Sequence, residues 1–390
     1  MLRVWGMMNG VSSEIASERN RRWAATMQGH EGATEDVVVA HRDSRAVVGV
    51  DDSLDATNPL ATREAQLEDL LVVGATRSFG AGRRLREEEP DEFRTCFERD
   101  RDRILHSTAF RRLAGKTQVF VFPEDHMRTR LTHALEVAQV ATGIARAVGL
   151  NVALTEAIAL GHDCGHGPGG HASEEALDPF VAGGFDHATW GADVSLAPLN
   201  LCEETLDGIR NHSWSRPAPT TPEGEVVSWA DRIAYVCHDF EDAVSAGIVE
   251  PATLDPLVRE RCGERRGQQL GSFINAMIRT IRSTGVIGMD ARHAEALGAF
   301  RNFNYESIYL RDASRQQASA VVSMLRALVE HYATHPLLIP DVGERALDEP
   351  SVALDEAVAY VAGMTDRYAC RSAVMLLEWS PERLPSGIDR

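Results

Sequence analysis

A short stretch rich in histidine, carboxylate and glycine residues constrains the fold of this chain more than any other feature. Residues 161–175 hold three histidines and three carboxylates. The residues before them, Asn151–Leu160, have the apolar spacing of a helix that packs into a core. His162 and Asp163 are therefore predicted at the buried end of a helix. Titratable groups in such a place are paired with one another or bound to a metal.

The second half of this stretch predicts a turn followed by another helix. Glycines and Pro168 favour the turn, and a helix is predicted to begin at His171. His171 and Glu174 are then three residues apart and share one helix face. An imidazole beside a carboxylate can move a proton to or from a reacting centre, so this pair is a candidate acid–base pair. His166, in the turn, is a candidate for phosphate contact or for assisting that pair.

Two longer helices carry further candidate ligands. Apolar residues recur at helical spacing through Arg128–Val148, and His133 lies on the apolar face. A lone histidine there is more often an ordinary core residue, unless other ligands converge on it. Another core helix is predicted over Glu225–Ala243, where Asp231 and Tyr235 lie one turn apart on the same stripe.

These helices together supply a set of metal-ligating side chains, which are His133, His162, Asp163 and Asp231. Two imidazoles and two carboxylates form a mixed nitrogen and oxygen shell. Such a shell suits Mn²⁺, Mg²⁺, iron or Co²⁺ better than the thiolate shell of structural zinc. Four protein ligands on an octahedral ion leave positions for water and a substrate oxygen, so the pattern predicts metal-assisted hydrolysis.

Charge and cysteine content bear on partners and compartment. The net charge of −18 argues against nucleic acid as the main partner, because such binding needs a basic surface. Positive charge is instead concentrated in Arg99–Leu113, which predicts one amphipathic helix with a basic face for substrate, solvent or a subunit contact.

The short run Lys116–Phe122 predicts a strand. The six cysteines lack any C-x-x-C pair, which favours free thiols in the reducing cytoplasm.

The remaining sequence predicts an all-α protein with marginal β structure. Residues 1–85 are polar and aperiodic, and predict a poorly ordered extension. Helical spacing then covers a catalytic core at 86–250 and a C-terminal helical part of the same domain at 251–380, followed by a tail at 381–390. No window of 18 apolar residues predicts a membrane-spanning helix.

Longer strings around the candidate ligands resemble those of a known family. The order of the four ligands is the H…HD…D signature of HD-domain phosphohydrolases, which is weak by itself. The more specific strings are Arg99–Phe120, Arg128–Gln139, Gly161–Glu175, Ala230–Ala243 and Ala362–Ala369. Over about residues 90–380 they resemble the deoxyguanosinetriphosphate triphosphohydrolase-like family. The resemblance implies an HD-domain helical fold, a divalent metal and assembly into a homo-oligomer.

The resemblance also implies roles for single residues. The four candidate ligands match the family's metal ligands, His171 and Glu174 match its catalytic pair, and His166 matches a further active-site histidine. Gln118 and Asp239 align with positions that contact the sugar 3′-hydroxyl. The implied reaction is attack of water at the α-phosphorus of a dNTP, which releases deoxynucleoside and inorganic triphosphate.

Three other positions complete the implied substrate site. Tyr235 is similar to a tyrosine that crowds the 2′ position and favours deoxyribose, and Arg130 and Arg232 would contact phosphates. The sequence departs from the family at Gly169, where an aromatic residue is usual, and the glycine predicts a more flexible turn. It also departs at Phe185–Gly191. An HD-type phosphatase or phosphodiesterase acting on another nucleotide is the alternative function.

Overall fold

The computed structural model describes residues 13–26, 29–32, 36–49, 59–122 and 126–386. The chain forms two compact units, one ending at Asp55 and the other beginning at Ala56. In the described part of the first unit, helix α1 (Ser13–Thr26) precedes a pair of two-residue antiparallel strands, β1 (His30–Glu31) and β2 (Val38–Val39).

The regular secondary structure of the second unit's described residues is helical, and the stretches between the helices are irregular apart from two isolated bridges. Its helices are α2 (Pro59–Glu68), α3 (Cys96–His106), α4 (Thr108–Arg112), α5 (Arg130–Val148), α6 (Val152–Gly161), α7 (His171–Leu177), α8 (His187–Trp190), α9 (Glu203–Arg210), α10 (Pro222–Ser245), α11 (Pro256–Cys262), α12 (Arg266–Thr284), α13 (Ala291–Asn304), α14 (Asp312–Thr334), α15 (Arg345–Asp348), α16 (Pro350–Ala362) and α17 (Asp366–Leu377). The predicted all-α fold class is confirmed. Among the described residues, no helix is long and apolar enough to cross a membrane.

Two local predictions were wrong. The single helix predicted over Arg99–Leu113 is interrupted at Ser107, which is extended and whose Oγ accepts the Phe110 N–H at 3.1 Å. A serine can both end one helix and cap the next, and helical spacing alone does not reveal that break. The strand predicted at Lys116–Phe122 is irregular backbone, and its β pairing is limited to an isolated bridge between Thr117 and Thr129. Without a neighbouring strand, residues that favour β structure cannot form the inter-strand hydrogen bonds of a sheet.

Local capping explains where the two ligand-bearing helices begin. The Asn151 side chain accepts the Leu154 N–H at 3.1 Å and starts α6, whose far end leads directly into His162 and Asp163. Helix α10 begins with a proline after Thr221, whose hydroxyl accepts the Gly224 N–H at 3.1 Å. Both helices gain from a side chain that accepts an unpaired N–H of the first turn, and α10 gains further because its first residue, a proline, has no N–H to leave unpaired.

The second unit contains two large hydrophobic cores. Helices α3, α5, α6, α10, α12 and α13 supply the first, around residues such as Phe97, Val137, Ile158 and Phe273. Helices α7, α14, α16 and α17 supply the second, which includes Leu177 and Leu325 among its buried side chains. The helices that carry the predicted site residues border both cores.

Residues 70–85 form hydrogen bonds and ion pairs with buried groups of the second unit. The sequence had predicted that the poorly ordered extension continues to residue 85. The Val72 N–H donates to Gly149 O at 2.9 Å, and Thr76 donates twice to the buried Glu223 carboxylate. Arg84 forms a 2.6 Å ion pair with the buried Asp100. Polar residues without periodicity gave no sign of these contacts, because their partners lie far away in the sequence.

Candidate active site

A cavity of about 700 Å³ opens between two groups of residues. The first group, called here the HD wall, comes from residues 117–239. It contains Gln118, Arg130, His133, Asp163, His166, His171, His187, His212, Asp231, Arg232, Tyr235 and Asp239. The second group, the C-terminal wall, contains Arg301, Tyr305, Ile308, Tyr309, Leu310, Arg311, Ala313, Ser314, Gln317, Ala318, Val321 and Ser386.

The four predicted metal ligands lie together beside this cavity. His133 Nε2 lies 3.0 Å from Asp231 Oδ1 and 3.9 Å from Asp163 Oδ2. His162 Nε2 lies 3.5 Å from Asp163 Oδ1 and 3.7 Å from Asp231 Oδ1. One ligand atom each from His133, His162 and Asp231 fits around a single point, and so does one each from His162, Asp163 and His212.

The hydrogen bonding of His162 fits a metal. Its Nδ1 lies 2.7 Å from the Ala159 carbonyl oxygen, so Nδ1 carries the proton and Nε2 carries the lone pair. That Nε2 is buried and has no hydrogen-bond partner among the described residues. A buried nitrogen lone pair with two carboxylates within 4 Å is what a divalent ion requires, and it is costly to leave unmatched.

The carboxylates of this cluster are held in the charged form. Burial alone would raise the pKa of Asp163, but the Arg130 guanidinium and the neighbouring imidazoles hold that pKa well below its usual range. Burial likewise opposes ionisation of Asp231, yet the hydrogen bond with His133 lowers the pKa of Asp231. Metal ligands must be deprotonated, so both groups suit the role.

A second cluster surrounds Glu174. His171 Nδ1 lies 3.2 Å from Glu174 Oε2, as the spacing predicted, but the His171 side chain is 74% exposed. The other oxygen, Oε1, accepts from His187 Nδ1 at 2.5 Å, and His187 is buried. His187 also stacks on His166, with ring centroids 3.7 Å apart. Glu174 therefore orients two imidazoles, of which the sequence indicated only one.

The protonation of His187 follows from its two partners. His212 Nδ1 lies 2.8 Å from the Ile209 carbonyl oxygen, which leaves His212 Nε2 to accept from His187 Nε2 at 3.3 Å. Burial lowers the pKa of His212 to about 4, so this ring is neutral near pH 7. Burial also opposes charge on His187, but the Glu174 carboxylate outweighs it and raises the pKa of His187. Both partners therefore favour a proton on each ring nitrogen of His187, which lies beside the candidate ligand Asp163.

Four arginines line the cavity, which are Arg130, Arg232, Arg301 and Arg311. Arg130 is buried and donates to Asp163 Oδ2 at 2.7 Å, while its Nε and Nη2 have no partner among the described residues. Arg232 lies over the Trp214 ring at 3.5 Å, and Arg301 Nε donates to the Tyr235 hydroxyl at 3.1 Å. Guanidinium groups with donors to spare suit phosphate oxygens.

The predicted sugar-contacting residues also lie at the cavity. Asp239 accepts from Arg128 on one carboxylate oxygen and from the Tyr309 hydroxyl on the other. Gln118 lines the cavity, and its buried Oε1 has no hydrogen-bond partner among the described residues. Tyr235 separates Asp231 from Asp239 on the same stripe of α10. Their roles as substrate contacts stay predictions.

The turn between His166 and His171 is anchored, in contrast to the flexible turn that Gly169 predicted. The Gly169 N–H donates to Asp366 Oδ1 at 2.8 Å, and the buried Lys116 ammonium donates to the His166 carbonyl. Gly169 has φ +76°, and a β-carbon there would lie 2.5 Å from Val321. The C-terminal helices therefore fill the space that a larger residue would need.

The basic helix α3 does not reach the cavity. Arg99 and Arg103 both pair with Glu88, and Arg101 pairs with Asp102. Arg99 and Arg103 thereby hold the segment that precedes the helix against it. These contacts within the chain differ from the roles that the sequence predicted for the basic face, which were contact with substrate, solvent or another subunit.

Sequence reasoning missed several cavity residues. His187 and His212 belong to the unusual density of histidines between residues 106 and 238, and that density was the available signal. Arg301, Tyr309 and Gln317 lie on helices and turns whose sequence carries no motif, so only the fold brings them to the site.

Two family models match the regions of the chain that line the cavity. The HD domain matches residues 130–236, and a phosphohydrolase-associated domain matches residues 287–374. The first range contains the four candidate ligands together with the Glu174 cluster. The second contains most of the C-terminal wall.

Curated relatives match most of the chain, and their shared name is deoxyguanosinetriphosphate triphosphohydrolase-like protein. The relative from Caldanaerobacter subterraneus subsp. tengcongensis is 40% identical over 325 residues, covering 81% of this chain and 93% of that protein. The relative from Clostridium perfringens strain 13 is 40% identical over 301 residues, covering 73% and 87%. One from Deinococcus radiodurans is 35% identical over 374 residues, covering 81% and 98%. This chain therefore belongs to the deoxyguanosinetriphosphate triphosphohydrolase-like family, a group of metal-dependent HD-domain phosphohydrolases.

Proposed function

We propose that this protein hydrolyses deoxynucleoside triphosphates at the α-phosphorus and releases deoxynucleoside and inorganic triphosphate. The observation that carries the proposal is one cavity that joins the His133, His162 and Asp231 cluster to a row of cations and to Tyr235 and Asp239. A phosphate chain, a sugar and a base each find suitable groups there. The names of the relatives point to the same substrate class.

The residues that would hold the divalent metal are His133, His162, Asp163 and Asp231. An ion bound there would supply charge stabilisation for a phosphoryl oxygen and would lower the pKa of a coordinated water. Mn²⁺, Mg²⁺, iron and Co²⁺ all suit this mixed donor set. Arg130, whose Nη1 bonds Asp163, keeps one ligand carboxylate oriented while its remaining donors are free for a phosphate oxygen.

The Glu174 cluster would move the protons. Water adds to the α-phosphorus, and the bond between that phosphorus and the 5′-oxygen breaks, so the leaving deoxynucleoside must gain a proton. Glu174 orients His187, and donation from Nδ1 to Glu174 and from Nε2 to His212 would leave His187 with two protons, which makes it suited to donate one. His171, on the other oxygen of Glu174, is exposed at the cavity and could exchange protons with solvent.

Selection for deoxyribose would rest on α10. Asp231 and Tyr235 are one turn apart, so the tyrosine ring would lie next to the sugar when the α-phosphate is at the metal cluster. Its hydroxyl is fixed by Arg301, and the ring therefore cannot easily move aside for a 2′-hydroxyl. Asp239, one further turn along, offers a carboxylate for the 3′-hydroxyl.

A cytoplasmic location and a homo-oligomer belong to the same proposal. All six cysteines are free thiols, which favours a reducing compartment. Assembly rests on the family resemblance alone.

Product analysis tests the proposed reaction. Purified protein with Mn²⁺ or Mg²⁺ is incubated with each dNTP, each rNTP and a generic phosphodiester, and the products are separated by ion exchange. Inorganic triphosphate from dNTPs, with much less from rNTPs, is the expected result. Orthophosphate or pyrophosphate, or cleavage of the generic ester alone, would contradict it and favour the HD phosphatase or phosphodiesterase alternative.

A further inference from the structure

The last described residues of the chain fold back onto the cavity. Helix α17 ends at Leu377, and Glu378 adopts a left-handed conformation with φ +53° that reverses the chain. Leu384 packs against the second core and Pro385 is buried, which brings Ser386 to the cavity lining. The segment predicted as a tail therefore supplies part of the C-terminal wall.

Ser386 and Gln317 are joined by a reciprocal pair of hydrogen bonds. The Ser386 N–H donates to Gln317 Oε1 at 2.8 Å, and Gln317 Nε2 donates to Ser386 Oγ at 2.9 Å. Only an amide oxygen can accept the Ser386 N–H, so the contact fixes which way the amide points. The pair keeps one amide N–H, the Ser386 hydroxyl hydrogen and one Oε1 lone pair for a ligand.

The residues that flank this pair on α14 favour an uncharged ligand group there. Along α14, the cavity is lined before and after Gln317 by Ala313, Ala318 and Val321, which are small or apolar. Ser314 already donates to the Ile308 carbonyl at 3.0 Å. A fixed amide and hydroxyl in an apolar wall suit a flat, uncharged ring with donors and acceptors on its edge.

The order of groups along α10 indicates which part of the substrate this ring would be. Asp231 and Asp239 are eight residues apart, which is about 12 Å along a helix. The phosphates would lie at the Asp231 end and the sugar beside Tyr235 and Asp239. The nucleobase is then the part of the substrate left to face the C-terminal wall.

We infer that the Gln317–Ser386 pair recognises the edge of the nucleobase and sets the preference among dNTPs. This inference rests on the proposed function and adds to it a specificity-determining contact formed by the C-terminal segment. A missing hydrogen bond to one base, but not another, would appear in the ratio of their kcat/KM values.

Substitution of Gln317 tests the inference. We expect Gln317→Leu to change the ratio of kcat/KM between the best and the worst dNTP by about tenfold, the effect of losing one or two hydrogen bonds. The matched control is Gln316→Leu, because Gln316 is the exposed neighbour on the same helix. The control should keep the parent ratio. A ratio that is unchanged in Gln317→Leu, or changed equally in both variants, would overturn the inference.

A second variant and the parent assay make the result decisive. Ser386→Ala keeps the backbone N–H bond to Gln317 and removes only the hydroxyl, so it should shift the same ratio in the same direction by a smaller factor. Ser386→Ala alone tests base recognition if Gln317→Leu fails to fold. An equal loss with all four dNTPs would refute base recognition. A parent protein that releases triphosphate from none of them would refute the proposed function itself.

Discussion

The two walls of the cavity differ in how their polar groups are held in place. In the HD wall, buried side chains form ion pairs with carboxylates, as Arg130 with Asp163 and His187 with the partly buried Glu174 behind it. In the C-terminal wall, single side chains reach across to the HD wall or to the chain end, as Tyr309 with Asp239 and Gln317 with Ser386.

This difference indicates a division of labour. Mutually bonded charges in a buried site keep fixed protonation states and positions, which favours reaction chemistry. Side chains held by one or two contacts can be exchanged with less disturbance, which favours adjustment to different substrates. Substitutions in the candidate metal ligands and the Glu174 cluster should therefore affect turnover, and substitutions in the C-terminal wall should affect discrimination.

The largest expected effect comes from Asp231 in the HD wall. Asp231→Ala should lose bound metal and lower kcat/KM by about 10⁴-fold, because the charge stabilisation that a metal supplies amounts to several kcal/mol. Metal content by atomic emission and activity are measured on the same sample. Retained activity in a variant that no longer binds metal would separate catalysis from this cluster.

Glu174 should give the next largest effect. Glu174→Gln removes the charge that orients both His171 and His187, and kcat should fall by about 10²–10³-fold, within the range for acid–base groups. Metal content should stay at the parent level, unlike in the Asp231 variant. His171→Ala and His187→Gln then show which imidazole carries the effect, and an unchanged kcat in either removes that residue from the mechanism.

Substitution of Arg128 tests the contact between the HD wall and the C-terminal wall. Its guanidinium bonds Asp239, Asp242 and Glu136, and it holds Asp239 between itself and Tyr309. Arg128→Met should reduce the preference for a dNTP over its 3′-deoxy analogue by about tenfold, the effect of one misplaced charged hydrogen bond. Tyr309→Phe should reduce it less. Equal losses with both substrates would mean that Arg128 only stabilises the fold.

Substitution of Glu223 should have a smaller effect than the changes above, and the effect should be on stability. It lies at the start of α10, and its carboxylate accepts the N–H groups of Thr76 and Asn151. Glu223→Ala should lower the free energy of unfolding by about 1–3 kcal/mol, because buried donors lose their acceptor. Urea unfolding followed by circular dichroism measures this. Glu223→Gln keeps an acceptor and should cost less.

Wild type and Glu223→Gln also differ in how their stability should depend on pH. Burial raises the pKa of Glu223 despite the hydrogen bonds from Thr76 and Asn151, so the folded state binds that proton more tightly than the unfolded state. As pH falls from neutral toward the ordinary value of 4.5, wild type should gain stability relative to Glu223→Gln. A constant difference between the two proteins over this range would contradict the raised pKa.

Prediction from the sequence succeeded where structure is local. Helices α5, α6, α7 and α10 follow from apolar spacing, and the four candidate ligands lie on or directly after them. Prediction failed where a distant partner decides the outcome. Gly169 indicates flexibility by itself, yet Asp366 and Val321 from the second core hold and surround it. Residues 70–85 look disordered until Glu223 and Asp100 are in place.

The sequence by itself determined the helical class, the family and which residues are candidate ligands, because helical periodicity and motif spacing are properties of neighbouring residues. Only the tertiary structure decided that His187 joins Glu174, that α3 faces away from the cavity, and that Gln317 and Ser386 line it. The physical reason is that each of these contacts joins side chains far apart in the chain. Their meeting depends on how the two hydrophobic cores pack, and no local pattern records it.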